Sequence, residues 1–156
     1  MSWISRLFAL VLMTGALVAT GAQAQVITPN ATTFTVSGVM NFEAWPSCTF
    51  TMTFDVPAGG ASATVTSAAV TGGDTGCETR SFTGLPWNVR VGPQVLHIDN
   101  FEMLFGPAYP TGKQTIDVFW ANYPGYPSAG SFYANIGLYG TMGFMQVTSG
   151  QSIGIN

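Results

Sequence analysis

The sequence predicts an all-β protein: a single-domain antiparallel β-sandwich, with a small β-barrel as the alternative, carrying one disulfide. Three observations predict it. Apolar and polar residues alternate with a period of two through most of the chain, the pattern of strands whose successive side chains point to opposite faces. Turn signals built from glycine and proline recur between these runs, and no amphipathic helix interrupts them. The only cysteines, Cys48 and Cys77, lie in different segments.

The alternation is cleanest in Ser47–Val56. Cys48, Phe50, Met52, Phe54 and Val56 share one face; Thr49, Thr51, Thr53 and Asp55 share the other. Threonine, branched at Cβ, suits a pleated strand. Upstream, Ile27-Thr28-Pro29 is irregular, and Thr32–Met40 alternates with Phe34, Val36 and Met40 on one side. Trp45-Pro46 ends the connection to the Cys48 strand, and Pro57-Ala-Gly-Gly60 predicts a hairpin into Ala61–Thr66. Thr71–Gly76 is a loop leading to Cys77.

After Gly84-Leu85-Pro86, the residues Trp87, Val89 and Val91 alternate with Asn88 and Arg90. In Val95–Phe105 the apolar phase slips, from Leu96 and Ile98 to Phe101, Met103 and Phe105. Such a slip places a bulge at Asp99-Asn100. Thr115–Ala121 carries Ile116, Val118 and Trp120 inward, with Phe119 on the opposite face. Tyr123–Pro127 is a turn. Ser131–Tyr139 and Thr141–Val147 follow as strands with large groups on both faces, which suits cover on two sides or exposure to a partner. Gln151–Asn156 reads as a last short strand.

Residues 1–24 hold one cation, Arg6, then an apolar stretch and the ending Ala22-Gln23-Ala24. This is the pattern of a signal peptide cleaved after Ala24, which leaves residues 25–156 as the single domain. The apolar stretch is short against the roughly 20 residues a bilayer requires, so no transmembrane segment is expected in the mature chain. The expected location is outside the cytoplasm: extracellular, at the cell surface or in the periplasm. In that oxidising setting Cys48 and Cys77 are expected to be joined, adding roughly 3–4 kcal/mol by the chain-entropy relation.

Charged residues make up only 7% of the chain. Arg80, Arg90 and Lys113 are scattered among seven acidic residues, so no basic patch exists for nucleic acid or anionic lipid. A surface of Thr, Ser and Asn relies little on charge repulsion, which leaves self-association open.

Catalytic readings fail for want of parts. His97 is the only histidine and no Gly-x-Ser-x-Gly elbow is present. His97 and Asp99 on one strand face are too few ligands for a metal. Glu102 and Asp117 are the carboxylates that could meet across neighbouring strands as glycosidases require, but they read as ordinary polar positions. No catalytic, cofactor or metal residue is assigned. Among the aromatics, Trp87 and Trp120 run in phase with core valines. Trp45, Tyr109, Tyr123 and Tyr126 each precede a proline in a loop. They are the candidate surface aromatics, able to stack on sugars or lie against an oily phase. A membrane-spanning barrel needs strands of about 9–11 residues with a continuous apolar band, whereas the runs here are shorter and broken by proline.

Several pieces in fixed order carry a resemblance: Ile27-Thr28-Pro29, Cys48-x-Phe50, Ala63-x-Val65-Thr66, Gly76-Cys77, Leu85-Pro86-Trp87 and Ile98-x-Asn100. Together they resemble the small secreted bacterial proteins of the activator-of-alkane-oxidation family; the tyrosine- and glycine-rich end fits less well. The resemblance implies an exported, non-enzymatic protein linked to hydrocarbon use, cell-surface properties and biofilm matrix. It transfers only the cysteine pair, onto Cys48 and Cys77. The expected function is a secreted surface or matrix protein promoting adhesion, biofilm or contact with hydrophobic material. The alternative is a module binding carbohydrate or a small apolar ligand. Expected partners are further copies of the chain, or hydrophobic or polysaccharide material.

Overall fold

The computed structural model describes residues 24–43, 46–122 and 128–156. The predicted cleaved segment, apart from Ala24, lies outside the described residues, as do Trp45, Tyr123 and Tyr126. The strands are β1 (Ile27–Thr28), β2 (Thr32–Phe42), β3 (Ser47–Val56), β4 (Ser62–Gly73), β5 (Arg80–Thr83), β6 (Trp87–Gly92), β7 (Val95–Phe105), β8 (Gln114–Ala121), β9 (Ala129–Ile136), β10 (Tyr139–Ser149) and β11 (Gly154–Ile155). Among the described residues one 3-10 turn, Cys77–Thr79, precedes β5.

All pairings are antiparallel, in the order β5-β7-β6-β4-β3-β2-β10-β9-β8, with β8 also bonded to β7. That last pairing closes eight strands into a ring. Of the two architectures the sequence allows, the barrel is adopted and the sandwich is not. The reason is β7: Val95–Ile98 bonds β6 on one edge and β8 on the other, so no terminal strand remains at which the sheet could part into two layers. The expected bulge makes this strand possible. Its register shifts between Ile98 and Phe101, and Asn100 takes a φ of 61°. Beyond the bulge the upper part of β7 is free to pair with β5.

The interior is filled in the expected phase. Every inward residue of β3 is buried, from Cys48 to Val56. Phe34 and Phe54 stack with ring centroids 4.9 Å apart. Trp87 is fully buried and its indole N–H donates to the Thr83 carbonyl at 3.0 Å, which satisfies the polar edge of a core ring. Phe82 of β5 enters the same cluster, between Trp87 and Phe101. The two ends of the barrel differ. The lower end is plugged by the β1–β11 pair, whose Ile27 and Ile155 are buried, and by the Trp120 indole donating to the Ile153 carbonyl at 3.0 Å. At the upper end the Cys48–Cys77 disulfide ties the 3-10 turn to the start of β3.

One boundary departs from expectation. The run read as one strand, Ser131–Tyr139, contains a tight turn: Ile136 pairs with Tyr139, and Gly137 takes a φ of 67° to reverse the chain. Inside this hairpin Gly143 is required by packing, because a Cβ at that position would overlap the Phe132 ring.

Two stability predictions follow from these contacts. Replacing both cysteines (Cys48→Ala with Cys77→Ala) should lower the unfolding free energy by about 3 kcal/mol, since the bond closes a long loop across a sequence separation of 29. Urea midpoints of the variant and of reduced wild type should coincide. Gly143→Ala should cost about 1–3 kcal/mol through overpacking; an unchanged midpoint would mean Phe132 has room to move.

Candidate functional site

The outer wall of the barrel has two unlike halves. On β2, β3 and β4 the outward positions are mostly Thr and Ser, linked across strands by hydroxyl contacts such as Thr35–Thr53 at 3.3 Å and Thr49–Thr71 at 3.1 Å. Across β8, β9 and β10 several outward residues are large and apolar, set among polar ones such as Asp117, Ser131 and Gln146. Phe119 is 63%, Tyr133 61%, Met142 60% and Phe144 52% exposed, far above what a packed side chain shows. Registers place them together. Phe119 stands opposite Ser131, Ser131 opposite Phe144, and Phe144 opposite Val39 of β2, so one row crosses four strands. Tyr133 and Met142 form the next row. Cross-strand neighbours lie about 5 Å apart, so these side chains form one continuous face. A shallow groove of about 130 Å³ runs between Phe119, Ser131 and Phe144.

The backbone under this face is held firmly. Gly130 approaches the Trp120 ring and Gly143 the Phe132 ring so closely that no Cβ would fit. Large groups inside and outside the same strands explain the double-faced hydrophobicity of this part of the sequence. The interior is apolar and half the exterior is Thr and Ser, the inverse of a membrane-spanning barrel, which is polar within and apolar all round.

The other candidate residues take varied places. Tyr109 is 73% exposed on the loop between β7 and β8. Trp45, Tyr123 and Tyr126 lie outside the described residues. The exposed aromatic rings at Phe119, Tyr133 and Phe144 are in strands, and the sign that finds them is the alternation with large groups in both phases. Trp87 and Trp120 are core, as their phase indicates. Cys48 and Cys77 are bonded.

The polar candidates do not converge. His97 Nδ1 lies 2.6 Å from Asp117, its cross-strand partner, while Asp99 turns to Arg90 and Thr115. Glu102 stands across from Thr83, on a different stretch of β7 from the residue facing Asp117, so the two carboxylates are not a pair. Among the described residues, no three His, Cys, Asp or Glu side chains are grouped to hold a metal. Nor is any helix among them long and apolar enough to cross a membrane.

Arg90 donates to Asp99 through Nε at 2.7 Å and through Nη2 at 2.9 Å, and Thr115 donates at 2.8 Å. These bonds, Arg90's foremost, hold the Asp99 carboxyl at about 2, below its ordinary 3.8. A folded value below the unfolded one means that ionised Asp99 stabilises the fold above about pH 4, and that this is lost as the pH falls toward 2. Solvent reaches the pair, so the contribution is expected to stay below about 1 kcal/mol. Asp99→Asn should therefore unfold earlier than wild type at pH 6, with the gap closing by pH 2. A gap that persists at pH 2 would assign the loss to packing.

The comparisons with known proteins bear on the whole chain. The sequence matches the family model described as alkane oxidation protein activator, PraA/PraB-like, over residues 1–153. Neither a curated protein nor a solved structure matches it. The family is named for an activator and not for an enzyme. A disulfide-tied barrel with an apolar outer face thus belongs to the PraA/PraB-like alkane oxidation protein activators.

Proposed function

We propose that the protein is exported and acts without catalysis, as a surface or matrix protein whose face on β8, β9 and β10 adheres to hydrophobic material. It would bring cells and oily substrates together, in keeping with a family named for the activation of alkane oxidation. The observation that carries this reading is the row Phe119–Ser131–Phe144–Val39, an apolar stripe bordered by hydroxyl-rich wall. The leader-like residues 1–24 and the disulfide support export.

Magnitudes favour an extended oily phase over a specific protein partner. Covering four half-exposed apolar side chains yields roughly 1 kcal/mol each, hence about 4 kcal/mol in all. That corresponds to a dissociation constant of only about 1 mM, before the cost of fixing two bodies in one orientation. An oil surface asks for no orientational match about the face normal, and many copies adsorb side by side. Carbohydrate binding is less well served, because Phe119 and Phe144 lack polar edges to accept or donate hydrogen bonds beside a stacked ring.

Pendant-drop tensiometry at a hexadecane–water interface tests this. Wild type should lower the interfacial tension at micromolar concentration. The double substitution Phe119→Ser with Phe144→Ser should need about tenfold more protein while keeping its unfolding midpoint within about 0.5 kcal/mol, as expected of surface changes. Wild type that leaves the tension unchanged, or a variant equal to it, removes the reading; glycan binding lost in a Tyr109→Ala variant would restore the carbohydrate alternative.

A further inference from the structure

Methionine is unevenly placed in this protein, and the unevenness bears on the outer face. Of seven methionines, five follow Ala24: Met40, Met52, Met103, Met142 and Met145. Four of these five are sealed in the core at 0–1% exposure, whereas Met142 stands 60% exposed. Met142 and Met145 share β10, three residues apart, so strand alternation sends one outward and the other inward. Register sets Met142 directly across from Tyr133, and Phe144 is the next outward residue along β10. One thioether therefore lies open to solvent inside the apolar face.

A thioether is the group on this face that a mild oxidant changes. Its sulfur attacks one oxygen of hydrogen peroxide with a lone pair; an S–O bond forms, the O–O bond breaks, and water leaves. Sulfur gives up two electrons, the peroxide takes them, and methionine becomes its sulfoxide. The reaction needs contact between sulfur and oxidant, so it follows exposure. Close packing shields the four core methionines from that contact. No thiol competes for the oxidant, because both cysteines are bonded to each other. The sulfoxide is a polar side chain with a strong acceptor oxygen. Pressed against an oily phase that oxygen finds no donor, so its burial opposes adsorption where that of the thioether favours it.

We propose that Met142 is an oxidation site through which peroxide weakens the hold of this face on hydrophobic material. The inference rests on the reading of the face as adhesive, and it adds the residue by which that adhesion is turned down. Export, as proposed above, would put Met142 beyond the reducing pool of the cytoplasm. The added oxygen points to solvent and enters no packed position, so the barrel keeps its fold. Met145, on the same strand but facing the core, serves as the internal control: same residue, same strand, opposite exposure.

Two readouts test this on the disulfide-bonded protein, treated with hydrogen peroxide and then freed of it by gel filtration. Peptide mass spectrometry should find an added oxygen on Met142, with each of the four core methionines oxidised about tenfold more slowly or less. The same treatment in urea should oxidise all five. In pendant-drop tensiometry at hexadecane–water, about fivefold more of the oxidised protein should be needed to match the untreated sample. Its urea unfolding midpoint should stay the same. Met142→Leu, compared with its own untreated sample, should show no shift on exposure to peroxide. A core methionine that oxidises as fast as Met142, or a Met142 that stays unmodified, would overturn the proposal. So would a Met142→Leu protein that weakens on treatment as wild type does. Oxidised wild type with an unchanged tension curve would overturn it while leaving the adhesive face standing; untreated protein that never adsorbs would remove both.

Discussion

Closing eight strands into a ring leaves a fixed volume inside, and the fit of large rings against missing side chains decides how this protein fills it. Gly38 faces the Phe50 ring, Gly130 faces Trp120 and Gly143 faces Phe132, each at a separation that excludes a Cβ. Rings fill the space those glycines vacate, so the backbone of β2, β9 and β10 lies directly on the core. Interiors are packed like crystals of small molecules, and a wall so seated does not yield. The outward residues of the same strands are thereby presented from a rigid support, which is where the Phe119–Phe144 row stands.

The barrel is consequently asymmetric twice over. Around its circumference, a hydroxyl-rich wall on β2, β3 and β4 gives way to an apolar wall on β8, β9 and β10. Along its axis, the β1–β11 pair lies at one end, and the Cys48–Cys77 disulfide with Arg80 between two phenylalanines lies at the other. Among the described residues, polar groups on the wall stand in pairs, His97 with Asp117 and Arg90 with Asp99.

Local features were legible in the sequence wherever one face is buried and the period is strict. β3 could be read residue by residue, and the phase slip in Val95–Phe105 located the bulge, because a shift of one residue exchanges the faces of a strand. The cysteine pair followed from the compartment the sequence leads one to expect, and the two are bonded. Closure was not legible, since pairing both edges of β7 is a long-range event that leaves no mark on the alternation of any one strand. The turn at Gly137 was hidden because the apolar pattern runs through it. Arg80 was missed for a different reason: a lone cation after a loop reads as solvated, and only the pairing of β5 with the end of β7 sets it beside Phe42 and Phe105. The outer apolar face was half visible, as strands with large groups in both phases, while attention to proline-flanked aromatics drew the candidate list toward loops.

The β1–β11 clasp has a bearing on how the protein is made. Thr28 and Gly154, which touch in it, are 126 residues apart in the chain, and the Trp120 indole takes its partner from Ile153, just before the distal strand. Non-local pairings of this kind come slowly, because ordering a long intervening loop precedes any reward from the contact. Until β1 and β11 pair, the barrel lacks its floor, so the contact that seals the core is also the one that spans nearly the whole described chain.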